Sequence, residues 1–184
     1  RKQTDLEGEL KLRRDLRSIP CVTIDPEMAR DHDDAVGIER TEEGGYRLYV
    51  HIADVSHYVG EQTALDREAL QRGCSVYLID RVVHMLPEDL AAKQCSLIPG
   101  EDRLALTVEI AMGEDGQVVQ SDIYESVICS QARLSYKQVQ DVLDGNETNN
   151  GLIVDWKERL LWMADLSQLR QKIRFCRGSL DLDI

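Results

Sequence analysis

Asp25, Asp31, Asp33 and Asp34 fall within ten residues of one another in the stretch "TIDPEMARDHDDA", residues 23–35, with Glu27 among them and Arg30 as the only full positive charge. Two carboxylates ~4 Å apart repel by ~4 kcal/mol at an effective dielectric near 20. Several can converge only if they are protonated, splayed into water or neutralised by a cation. An acidic run usually takes the second course and forms a solvated turn. Here Asp25 ends an apolar alternation, and the connection after it could fold Asp31, Asp33 and Asp34 back, with Asp31 and Asp33 on one face if that part is extended. Hard oxygen donors on such a bend suit Mg²⁺ or Mn²⁺, held by few carboxylates together with waters and a substrate phosphate.

Three chemistries use clustered acids. A calcium loop opening at Asp31 would need glycine where Val36 stands, and a ligand where Ala35 stands, so that reading fails. Glycoside hydrolysis divides its work between a pair of carboxylates and leaves the rest unused. Phosphoryl chemistry uses them better, because metal ions on acidic side chains polarise phosphate, activate water and stabilise the leaving oxygen. The residues by themselves point to metal-dependent phosphate chemistry.

Positioning such a loop calls for strands on either side of it. "CVTID" reads as a short strand ending at Asp25, where Pro26 removes a backbone donor and biases Asp25 away from helix. "AVGIER" and "YRLYVHIADV" flank a "TEEGG" turn as a hairpin, with Tyr46, Leu48, Val50 and Ile52 on one face. "LDREALQRG" is a short helix stopped by Gly73, and "CSVYLI" a strand. "LALTVEIAM" places Leu104, Leu106, Val108, Ile110 and Met112 inward, and "GEDG" turns it back. Ser135 can cap "YKQVQDVLDG", and residues 153–177 carry Trp156, Leu160, Met163, Leu166, Leu169 and Ile173 at helical spacing. Strands first and helices later predict an α+β domain, a mostly antiparallel or mixed sheet with helices packed on it.

At 184 residues, 42% hydrophobic and 30% charged, the chain can build one hydrophobic core. Its net charge of -12 argues against nucleic-acid binding by this segment unaided, since phosphates call for Lys and Arg. No apolar run approaches the ~18 residues of a membrane helix, and the charged opening "RKQTDLEGELKLRRD" is no signal peptide, so a cytoplasmic protein with no membrane partner is expected. Five cysteines without a C-x-x-C pair predict reduced, mostly buried thiols. The start without Met and the finish "GSLDLDI", in mid-alternation, predict a segment of a longer chain.

"VTIDPEMARDHDDAV", "VHIADVSHYV", "LDREALQRGCSVYLIDRVVHMLPEDL", "CSLIPGEDRLAL" and "ARLSYKQVQDVL" resemble, in the same order, the catalytic (RNB) domain of the ribonuclease II and ribonuclease R exoribonucleases. The resemblance implies residues 1–15 as a charged lead-in and 16–184 as the front half of that domain. It implies hydrolysis of single-stranded RNA from its 3′ end, processively and with Mg²⁺ (Mn²⁺ as a substitute), to nucleoside 5′-monophosphates. On the family's acidic pattern Asp25 and Asp34 are the principal metal ligands and Asp31 a supporting one that also serves catalysis. Asp33 is the carboxylate most needed for hydrolysis, orienting the attacking water. Tyr77 matches a tyrosine that stacks on a base near the 3′ end; on its own it would read as a core aromatic of a strand.

The family also places oligonucleotide-binding barrels beside this domain, and a phosphate-contacting Arg and a catalytic Glu beyond Ile184, so the segment is expected to be inactive alone. His51, His57 and His84 read as ordinary strand or loop histidines, His32 as incidental to the acidic loop, and Glu27 as a solvated charge. Arg103 could meet phosphate or pair with Glu101 or Asp102, and is left outside the site. A catalytically inert RNA-binding or regulatory relative is the alternative; its mark would be a broken acidic set, and this one is intact.

Overall fold

A strand with one buried face hides every second side chain, and that alternation accounts for most of the sheet. The computed structural model describes residues 6–146 and 151–180; the first five residues of the lead-in and the end of the closing alternation lie outside the described residues. In chain order come α1 (Leu6–Glu9), β1 (Arg14–Asp15), β2 (Val22–Asp25), β3 (Asp34–Arg40), β4 (Tyr46–Ala53), α2 (Val55–Tyr58) and α3 (Ala64–Arg72). They are followed by β5 (Val76–Tyr77), β6 (Val82–Val83), a π-helical turn (Leu90–Gln94), β7 (Asp102–Met112), β8 (Val118–Cys129), β9 (Ala132–Ser135), α4 (Tyr136–Leu143) and α5 (Gly151–Cys176).

Seven strands form one mixed sheet in the order β1-β8-β7-β4-β3-β2-β9, and β5 and β6 form a separate ribbon. β1 on β8 and β2 on β9 run parallel; the other pairs are antiparallel. This is the α+β architecture expected from the sequence. Because β2 and β3 are antiparallel neighbours, the acidic stretch is the connection between them.

Both sheet faces are covered, by different parts of the chain. Val22, Ala132 and Leu134 lie against Val142 of α4 and Ile153, Trp156 and Leu160 of α5, while Ile38, Tyr46 and Met112 meet Leu166 further along α5. With the partly buried Met163 between Leu160 and Leu166, these α5 residues recur at three- and four-residue intervals, one stripe of a helix. On the other face Cys21, Ala35, Ala53, Ala105 and Ile128 pack against Cys95 and Leu97. Ser135 and Gln138 form a reciprocal capping box that starts α4 at the end of β9. Gly116, at φ +75°, turns β7 into β8 where a Cβ would come within 3.0 Å of Leu169.

Three expectations need correction. Leu106 and Ile52, read as inward, are 43% and 44% exposed, whereas their strand neighbours Ala105, Thr107, His51 and Ala53 are buried on the opposite face. The reason is coverage: on β4 and β7, α5 packs against the Tyr46–Met112 end, and the Cys95–Leu97 segment covers the Ala53–Ala105 end from the other side. "CSVYLI" yields only the two exposed residues of β5, since it pairs with β6 alone and joins no larger sheet.

A buried polar chain crosses β4, β7 and β8. Ser126 donates to the Ala105 carbonyl, so Thr107 Oγ1, 2.6 Å away, donates to Ser126 and is left to accept from His51 Nδ1 at 2.8 Å. His51 Nε2 has no hydrogen-bond partner among the described residues, and burial pushes the imidazole down to about 4. The unfolded chain therefore takes up this proton first. His51 supports the fold fully above ~pH 6.5, and up to about 3 kcal/mol is lost as pH falls toward ~4. We expect ring NMR of His51 to show an unprotonated imidazole down to about pH 5; a midpoint near 6.5 would contradict its burial.

Candidate functional site

Asp25 is the last residue of β2, held in register with Ser135 of β9. Pro26 follows, and its carbonyl accepts from Ala29 N–H, opening the loop with a turn. Arg133 of β9 donates to the Glu27 carbonyl and ties the turn to the sheet edge, while the Glu27 side chain is exposed. At the far end the Asp33 carbonyl accepts from Ala53 N–H at 2.8 Å. The loop is thus anchored on both flanks before its side chains are considered.

Its middle is held from below by the segment after the π-helical turn. The fully buried Ser96 hydroxyl accepts from His32 N–H at 3.0 Å and contacts the Arg30 carbonyl at 3.4 Å, bracketing Asp31. Leu97 N–H donates to the His32 carbonyl at 2.9 Å. Arg103 secures that segment in turn, donating to the carbonyls of Ser96, Lys93 and Asp102 at 2.9, 3.1 and 3.0 Å. Arg103 also meets Glu101 at 3.2 Å, the pairing named as one option from the sequence; its guanidinium is used up on backbone and this neighbour.

His32 is a correction. It was expected to be incidental, but its ring is buried and Nδ1 lies 2.8 Å from Asp25 Oδ2. A carboxylate only accepts, so Nδ1 carries the hydrogen. His84, expected to be an ordinary loop residue, is brought within 4.0 Å of Asp31. Of the other two, His51 sits in a strand and His57 in α2.

Asp31 accepts from the Tyr77 hydroxyl at 2.7 Å. That bond, then burial and the charges of Asp31 and Asp33, push the phenol up to about 12. The Tyr77 ring is 64% exposed, so it is no core aromatic. Asp25, Asp31, Arg30, Tyr77, Arg81 and His84 share the wall of a cleft of about 740 Å³. Asp33 and Asp34 open to solvent at the start of β3. Asp33 is pushed up by loss of solvation, then by Asp31, Asp34 and Asp25, with His32 opposing; Asp34 is pushed up by loss of solvation, then by Asp25. Since both keep exposed surface, the like charges are the more telling cause. Tyr136, which the sequence reading passed over, is a second exposed aromatic beside Ser135, the register partner of Asp25.

Among the described residues no three carboxylate, imidazole or thiolate groups close into a ready-made cage. The donor set fits Mg²⁺ nonetheless: hard oxygens, in mutual repulsion, supplied by few carboxylates to an ion that keeps waters and substrate phosphate as its remaining ligands. Asp25, Asp34 and Asp31 are the residues that would hold it.

A mixed sheet backed by helices, with an aspartate-lined bend between two antiparallel strands, defines an α+β domain built to gather negative charge at one edge. The RNB domain model matches residues 13–184, and the chain belongs to that family. It is 51% identical over 97% of its length to ribonuclease R of Aquifex aeolicus, and spans about a quarter of that relative (25%). Mycoplasma genitalium RNase R in complex with ribose methylated single-stranded RNA superposes over 100% of this chain and 28% of its own, with a TM-score of 0.89 and 34% identity. Yeast Ssd1, described as a pseudonuclease, shares the fold at a TM-score of 0.70 and 22% identity, covering 81% of this chain and 18% of its own.

Replacing Arg103 by Met keeps the aliphatic stem and removes the donors to three carbonyls. The loss should be roughly 2 to 4 kcal/mol, since bonds from a charged donor contribute ~1.5–3 kcal/mol each and are not additive. Urea unfolding followed by Trp156 and Trp162 emission checks this; a loss below ~0.5 kcal/mol would mean that Arg103 does not secure the segment.

Proposed function

We propose that this chain is the front half of the catalytic domain of a Mg²⁺-dependent exoribonuclease, one that degrades single-stranded RNA processively from its 3′ end to nucleoside 5′-monophosphates in the cytoplasm. The observation that carries the reading is the meeting of the acidic loop with an exposed aromatic: Asp31 and Tyr77 joined by a hydrogen bond on one cleft wall, with Asp25 beside them. When bound, Mg²⁺ would offset phosphate charge and polarise the scissile bond.

The chain's own residues divide the remaining work. Asp25, Asp34 and Asp31 attract and place the cation. Asp33, its carboxyl pushed up by its neighbours, is suited to orient a water against the phosphorus and to accept its proton. Tyr77 offers its ring to a base, and stacking contributes ~1–3 kcal/mol whatever the base. The net charge of -12 leaves collection of RNA to basic surfaces elsewhere in the polypeptide, in flanking oligonucleotide-binding domains. The intact set of four aspartates favours this reading over an inert relative of the same fold.

In the full-length protein Asp33→Asn should cut poly(A) degradation by more than ~100-fold while RNA affinity stays nearly unchanged. Undiminished cleavage would defeat the assignment. Tyr77→Ala should weaken binding of a short 3′-terminal oligonucleotide by roughly 5- to 150-fold, the equivalent of one lost base stack; unchanged affinity would remove Tyr77 from the RNA site.

A further inference from the structure

We propose that His32 is a positioning residue for Asp25: its Nδ1–H occupies Oδ2 and thereby leaves Oδ1 of Asp25 committed to the incoming cation. The inference rests on the metal reading above.

The backbone of Asp25 is fixed by the β2–β9 register, but an aspartate side chain still rotates about two torsions. Repulsion from neighbouring aspartates would drive it outward. The imidazole blocks that escape. It is reached from below, 5% exposed, and 2.8 Å from Oδ2 of a carboxylate that is itself 14% exposed. Burial leaves the imidazole little room to swing away, and the backbone that carries it is fixed, its N–H bonded to Ser96 and its carbonyl accepting from Leu97. His32 also lies between Asp31 and Asp33 in the chain. Turning this ring beneath the loop leaves Asp31 to meet Tyr77 on the cleft side. One residue thus removes a torsional freedom from the ligand, supplies a donor among acceptors and helps separate the other acids. Hydrogen-bonded partners of ligating carboxylates act in this way, and losing one typically weakens metal affinity ~10- to 100-fold.

Bulk and hydrogen bonding can be told apart, since an asparagine amide carries an N–H donor at the δ position and a leucine carries none. The experiment titrates Mn²⁺ into the full-length protein, with free ion read by electron paramagnetic resonance, and Asp25→Asn marks binding elsewhere. His32→Leu should bind at least ~10-fold more weakly than the parent, while His32→Asn should stay within about twofold. Leucine binding as tightly as the parent would overturn the proposal, and so would asparagine binding tenfold weaker, a result that stands even if the leucine variant does not fold. If the parent binds no better than Asp25→Asn, the metal reading itself fails, which is a separate outcome.

Discussion

Like charges resist being gathered, and the crowding of Asp25, Asp31, Asp33 and Asp34 at one bend is the constraint that the surrounding structure answers. A loop left to itself would open and let water separate the carboxylates. Here the flanking strands are paired, and the middle is bonded to Ser96 and Leu97, which belong to a segment more than sixty residues further along the chain. Leu97 and Cys95 are in turn buried against the sheet. The free energy of a hydrophobic core is thereby brought to bear on an electrostatically unfavourable turn. Arg103 completes the connection by bonding the carbonyls of the supporting segment.

Much of this was legible in the sequence and some was not. Local signals predicted well: the Ser135 cap, the Gly73 stop and the GEDG turn, and the long stripe of α5. The acidic spacing identified the bend. Which face of a strand is buried is set by elements that arrive from elsewhere, and so Leu106 and Ile52 were misread. β5 had the composition of a strand but lacked a sheet to join. His32 was misjudged because an imidazole among aspartates gives no sign of which way it turns, and here it turns inward onto Asp25, above a backbone held by Ser96. Nothing in the spacing of Ser96 or His84 marked them as neighbours of the loop, since their approach depends on long-range folding.

A fold does not by itself carry an activity. The same architecture occurs in a yeast protein described as a pseudonuclease, so the sheet by itself does not make an enzyme. On the proposed function, what would distinguish a working site is the complement of side chains on the bend. On the function proposed above, the acidity of the chain, an obstacle to binding RNA unaided, would be the means of recruiting a cation, and contact with a polyanion would then depend on that cation and on Tyr77.

The central claim is that the loop's carboxylates are held together for a divalent ion. Anomalous diffraction from Mn²⁺-soaked crystals of the full-length protein tests it most directly. The account predicts a peak within ~2.0–2.3 Å of oxygens from Asp25 and Asp34, with Asp31 beside it. Featureless density there, with those side chains diverging into solvent, would contradict it.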